Sequence, residues 1–108
     1  MNEQCVIALS TFPDVETARK ISRELVDSAL VACANIMPAV ESIYYWKEKV
    51  ETSDESLAIF KLTAARYSEF ESRLRALHPY DVPEVVRLDI AGGSADYNRW
   101  IAESCARK

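Results

Sequence analysis

Glycine is scarce in this chain, 2 residues of 108, and the four prolines are scattered. No flexible linker, low-complexity tract or glycine-rich phosphate loop can be drawn from such a composition. One domain spanning residues 1–108 is expected, and a chain of this length can bury roughly two-thirds of its unfolded surface around a single core. Basic residues are not in excess: 13 Lys and Arg stand against 17 Asp and Glu, a net charge of -4. Nothing in that balance draws the protein to nucleic acid or to anionic lipid. Apolar runs are short, the longest being Ala29 to Ala34, far below the roughly 20 residues of a membrane-spanning helix. The N-terminal Met1-Asn2-Glu3-Gln4 before Cys5 to Leu9 has neither the basic start nor the apolar length of a secretory signal, and a cytoplasmic location is expected.

Reactive side chains are equally few. The three cysteines, Cys5, Cys33 and Cys105, form no C-x-x-C pair and have no histidine near them in sequence, which excludes a zinc knuckle or a disulfide framework. They are expected to be core thiols in a reducing compartment. There is one histidine, His78, and no G-x-S-x-G elbow, H-E-x-x-H pair or Ser-His-Asp constellation, so an enzyme is not expected.

What the chain does have is ordinary globular material, 49% hydrophobic and 28% charged, arranged with clear periods. Cys5 to Thr11 is an apolar, β-prone run ending at Phe12-Pro13-Asp14, where Asp14 can cap a following helix. Val15, Ala18, Ile21, Leu25 and Ala29 recur at three- and four-residue intervals and predict an amphipathic helix from Val15 to Ala29. Leu30 to Met37, Pro38 and Ser42 to Lys47 predict one long strand bent at the proline. Val50 to Thr52, a polar break at Ser53-Asp54-Glu55, and the alternating Ser56 to Thr63 predict its returning partner. Tyr67, Phe70, Leu74 and Leu77 mark a second helix, with Glu69 to Arg73 and Glu71 to Arg75 spaced as exposed ion pairs. After a loop stiffened by Pro79 and Pro83, Val85 to Ala91 reads as a half-buried strand, Gly92-Gly93 ends it, and a third helix runs from about Asp96 to Ala106. This order is α+β, a ferredoxin-like split βαβ: an antiparallel sheet with two main helices on one face and a short C-terminal helix.

Two features predict self-association. The sheet face away from the helices lacks a cover. A strand from Val31 to Trp46 would span roughly 50 Å, more than the roughly 35 Å across a compact domain of this size. The hairpin must therefore project or fold back, and projection would expose Ile43, Tyr44, Tyr45 and Trp46 together with free strand edges.

Local motifs then coincide: Ala32-Cys33-Ala34-Asn35-Ile36 before Pro38, Ser42-Ile43-Tyr44-Tyr45-Trp46, Phe60-Lys61-Leu62-Thr63, and His78-Pro79-Tyr80-Asp81-Val82-Pro83-Glu84. With Pro13-Asp14, Asp96-Tyr97 and Trp100 they resemble the CutA divalent-cation tolerance family along nearly the whole chain. The resemblance implies a homotrimer joined through the long hairpin strands, similar in architecture to the PII signalling proteins, and a role in the response to divalent metals such as copper. It also implies copper ligands at a strand-end cysteine and at two adjacent histidines before the Pro-Tyr pair. Here those positions hold Ser10, Leu77 and His78, leaving one ligand of three, and neither a serine hydroxyl nor a leucine suits a soft metal.

The side chains themselves leave alternatives open. His78 reads as the polar end of the second helix, favoured there by the dipole, or as a metal ligand completed by Asp81, Glu84 or a second subunit. Tyr44, Tyr45 and Trp46 read as interface aromatics or as a stacking platform for a planar ligand. Lys61, inside an apolar strand, needs a partner. An ion pair with Glu84 is the plain solution, and an intersubunit cleft in which Lys61, Tyr80 and Glu84, with Tyr45 and Trp46, meet a small anionic ligand is the functional one. Gly92-Gly93-Ser94 reads as a capping turn or as an anion-binding helix start.

Overall fold

A computed structural model describes Glu3 to Arg107. The strands are β1 (Cys5–Phe12), β2 (Cys33–Trp46), β3 (Lys49–Thr63) and β4 (Val86–Asp89), and the helices are α1 (Val15–Asp27), α2 (Tyr67–Leu77) and α3 (Ala95–Cys105). All four strands form one antiparallel sheet in the order β2-β3-β1-β4. Each helical crossover thus skips over one strand, which is the split βαβ arrangement expected.

Strand alternation sorts the two faces. Val6, Ala8, Phe12, Ala58, Phe60 and Leu62 are sealed against Ile21 and Leu25 of α1 and Phe70 and Leu74 of α2. Asp14 caps α1 by accepting from the Thr17 amide at 2.8 Å, and that bond holds its carboxyl below the usual range. The helix stops at Asp27, two residues before the expected end, because Ala29 turns into the left-handed region at φ 61°. Leu30, Val31 and Ala32 then fill the core as a buried turn, and β2 begins only at Cys33.

The predicted bend is present, with its register shift between Met37 and Val40, and the Ser56 hydroxyl pins it by donating to the Pro38 carbonyl at 2.6 Å. The expected break at Ser53-Asp54-Glu55 is absent: Ser53 pairs with Ser42, Asp54 with Glu41 and Glu55 with Val40. Beyond Ser56 there is no third strand, since β1 ends opposite it at Phe12. With no core face to fill, polar residues there keep the ladder without penalty. The ribbon closes through Lys47 and Glu48, both left-handed at φ 49° and 68°, the geometry of a type I′ turn made without glycine.

Three further expectations are corrected. The last strand is only Val86–Asp89 and all four residues are exposed, because Val86 and Leu88 pair with Leu9 and Ile7 on the face away from α1 and α2. Glu69 does not reach Arg73. It bonds Arg66 at 3.2 Å, while Arg73 crosses to Glu24 of α1; only Glu71 and Arg75 approach as spaced, at 3.9 Å. Cys5 and Cys105 are core thiols, which burial pushes up and leaves inert, but Cys33 is only half-buried.

Helix α3 covers one end of the open sheet face. Ile101 and Cys105 are buried there, and the Cys5 thiol donates to the Asn98 carbonyl at 3.5 Å. The rest of that face, with Met37, Val86 and Leu88, is uncovered. So is the arm, where Ile43, Tyr45, Trp46 and Val50 are each 52–71% exposed. The chain accordingly extends 48 Å in its long direction against 26 and 22 Å in the others.

Candidate functional site

His78 follows the last residue of α2 and is buried. Its ring stacks on Phe12 at 4.7 Å and lies 4.8 Å from Tyr80. Nδ1 accepts from the Tyr80 amide at 3.1 Å, so Nε2 carries the proton and donates it to the Thr11 carbonyl at 2.8 Å. Burial lowers its pKa, against the raising pull of the Thr11 carbonyl and Glu55. The imidazole is thus held neutral with both nitrogens engaged, and its one ligating lone pair, on Nδ1, is taken by the Tyr80 amide and not open to a metal. It is a peg between the end of α2 and the end of β1.

Ser10 is fully buried between sheet and helices, and its hydroxyl has no hydrogen-bond partner among the described residues. Leu77 packs at the margin of the core. Among the described residues no cluster of three His, Cys, Asp or Glu side chains is placed to hold a metal. The Ser10, Leu77 and His78 positions therefore do not fit a copper centre within one subunit.

The proposed cleft residues separate into three places. Tyr80 is half-buried and donates to Glu55 Oε2 at 2.7 Å, tying the loop after α2 to the base of the arm. Burial and that carboxylate together push its hydroxyl far up. Glu84 is exposed and takes no part in an ion pair among the described residues. Tyr45 and Trp46 lie at the arm tip, where Tyr45 pairs with Val50 and Trp46 with Lys49. Lys61 pairs with Cys33 at the opposite end of the same hairpin, roughly 36 Å from Val50 along the strand at 3.3 Å per residue. The expected Lys61 to Glu84 pair does not form, because the two sit on different elements with their own neighbours.

What surrounds Lys61 was not foreseen. Its ammonium donates to Asn35 Oδ1 at 2.8 Å and lies 5.6 Å from the Tyr97 ring centroid. The Cys33 thiol is 3.8 Å from both the Tyr97 hydroxyl and Asn35 Oδ1, and Trp100 packs beside Tyr97 at 5.5 Å. Cys33, Asn35 and Lys61 alternate onto the open sheet face, and Tyr97 reaches them from the first turn of α3. Ser94 caps that helix, accepting from the Tyr97 amide at 3.3 Å, so the Gly92-Gly93-Ser94 segment is a capping turn. The sequence signal was Asn35, a polar residue interrupting an apolar strand, but its partner depended on the register of β2 against β3.

A groove of about 460 Å3 lies between α2 and the loop after it, lined in part by Tyr67, Glu71, Arg75 and Asp81. Of the candidate site residues Asp81 alone lines it; His78, Tyr80, Glu84 and Lys61 do not.

The family model of the CutA1 divalent ion tolerance protein matches residues 6–104. The divalent-cation tolerance protein CutA of Thermus thermophilus is 42% identical over 98 residues, covering 91% of this chain and 95% of that one. The protein of the same description from Thermococcus kodakarensis is 38% identical, covering 92% and 94%. Among solved structures, CutA1 from Ehrlichia chaffeensis superposes with a TM-score of 0.93 at 28% identity, over 97% of this chain and 98% of that one. The Thermus thermophilus structure gives 0.90 at 41% identity, covering 93% and 97%. Matched by the family model over residues 6–104 and superposing on CutA1 structures over nearly its whole length, the chain belongs to the CutA1 divalent ion tolerance family.

Proposed function

We propose that this protein works as a cytoplasmic homotrimer in the response to divalent metal ions, by binding and presentation rather than by turnover. The observation that carries the assembly is the pair of apolar surfaces one subunit leaves open, the arm and the sheet face beyond α3. A two-stranded ribbon with exposed aromatics is marginal in water by itself, and a second copy of the chain supplies what it lacks. Three free thiols accord with a reducing compartment. Among the described residues no helix is long and apolar enough to cross a membrane.

The metal response is supported by family membership, not by a built centre. With His78 locked and Ser10 sealed, copper or another divalent cation would meet side chains completed by a neighbouring subunit. The test is calorimetric titration of the demetallated, size-checked oligomer with copper(II) and zinc, beside a His78→Gln variant of the same mass. Binding in proportion to subunits that survives the substitution is the expected result. Binding lost with His78 would return that residue to the metal site, and no heat above buffer from either protein would remove metal binding from the function.

A second reading is favoured by one observation: Lys61 is a cation on an apolar face with no carboxylate paired to it among the described residues. It points to a PII-like scaffold in which a cleft takes up a small anionic ligand. Such binding would depend on Lys61 and ignore chelators, whereas metal binding would release protons and respond to them.

A further inference from the structure

The second of these readings rests on one unpaired charge, and the groups around that charge narrow what it would bind. Lys61 gives one hydrogen bond to a neutral acceptor, Asn35 Oδ1, at 2.8 Å. An ammonium has three donors, so the rest of its capacity is open. Because Asn35 Oδ1 is taken by Lys61, the amide group is oriented and its Nδ2 donors are free to face a ligand. The Tyr97 hydroxyl supplies another donor, 3.8 Å from the Cys33 thiol. Asn35 and Tyr97 are exposed and Lys61 is half-buried, so the cluster is reachable in the subunit while its apolar floor, with Ile59 next along β3, strengthens electrostatic contacts. No carboxylate among the described residues is ion-paired with Lys61. The acidic side chain in the first turn of α3, Asp96, is taken by Arg99 at 3.1 Å, and Asp89 of β4 lies on the other face of the sheet, opposite Val6. The aromatic pair Tyr97 and Trp100 stands beside the cation as a wall.

We propose that Lys61, Asn35 and Tyr97 form a binding site for a small oxyanion, a carboxylate or a phosphate group, at the junction of the open sheet face with α3. The ammonium provides the charge, the Asn35 amide and the Tyr97 hydroxyl provide directed donors, and Cys33 closes the floor. Oxyanions suit this donor set because every group facing the cluster, apart from the carbonyl Lys61 already occupies, can donate.

The probes are inorganic phosphate and acetate, titrated separately into the native oligomer at constant ionic strength and followed by calorimetry. Saturable binding of one anion per subunit is expected, and the tighter of the two identifies the source chemistry. Lys61→Met should weaken it at least tenfold and Tyr97→Phe several-fold, with the mass of the assembly unchanged by light scattering. Asn35→Asp guards against a variant that does not fold: it sets a carboxylate where the bound anion would pair with Lys61, so it should raise the melting temperature and abolish anion binding together. Absence of saturable binding by the wild type, or wild-type affinity retained in Lys61→Met and Asn35→Asp, overturns the proposal. Either failure leaves the subunit mass and the metal titration standing as separate tests of the trimer and of the metal response.

Discussion

His78 and Ser10 show how a residue's surroundings decide its chemistry. A histidine whose Nδ1 accepts and whose Nε2 donates inside the core must lose the Tyr80 amide bond when it is protonated. Its folded pKa is depressed below 6.5, so below about that pH the unfolded chain takes up a proton that the native one does not. Stability is then present above the unfolded pKa and declines as pH falls toward the folded one, with a slope of at most about 1.4 kcal/mol per pH unit. Urea unfolding at a series of pH values should show this slope, and His78→Gln should flatten it; an unchanged slope in the variant would mean that other groups carry it. Ser10 makes the opposite case. Its buried hydroxyl lacks a partner, and removing such a group recovers its desolvation cost, so Ser10→Ala should stabilise the protein by about 1 kcal/mol in the same assay. A loss of stability would imply that the hydroxyl has a partner in solution.

Among the elements, the β2–β3 hairpin carries the departures from simple pattern. Its turn holds two non-glycine residues in the left-handed region, a conformation that costs L-residues roughly 1–2 kcal/mol each. Glu48→Gly should therefore raise stability by about 1 kcal/mol in thermal or denaturant unfolding, and no gain would show that the side chain is held by contacts outside its own subunit. The continuous ladder through Ser53, Asp54 and Glu55 has the same origin as this tolerance. Where a ribbon has no buried face, backbone pairing alone sets the register, and polarity stops being informative about where a strand ends. Strand β4 is misleading for a related reason. Its apolar Val86 and Leu88 alternate as though facing a core, yet the face they occupy is open in the single subunit.

For the whole molecule, the open face and the arm are the apolar surfaces that the proposed association would cover. Ile43, Tyr45 and Val50 share one side of the arm by register. If the proposed trimer is joined through the arm, Ile43→Ser combined with Tyr45→Ser should shift the mass measured by light scattering from three times the 12.2 kDa chain toward one, and make the melting temperature fall on dilution. An unchanged mass would place the interface elsewhere, on the sheet face. The separation of Lys61 from Tyr45 and Trp46 also belongs at this scale. One chain cannot bring the two ends of a long hairpin together, so only a neighbour's arm could add Tyr45 and Trp46 to the Tyr97 and Trp100 already beside Lys61.

The sequence by itself determined the order of elements, the helical faces built on Ile21, Leu25, Phe70 and Leu74, the bend at Pro38 and the family, because periodicity and punctuation are local properties of a chain. Family motifs around His78 and Lys61 were legible for the same reason. Only the tertiary structure decided that His78 is a locked peg, that Ser10 is sealed, that Lys61 meets Asn35 and Tyr97 and not Glu84, and that Cys33 lies outside the core. Those outcomes depend on strand register and on which end of the sheet α3 covers, and both are set by packing between segments far apart in sequence, where a single residue's shift would exchange every neighbour.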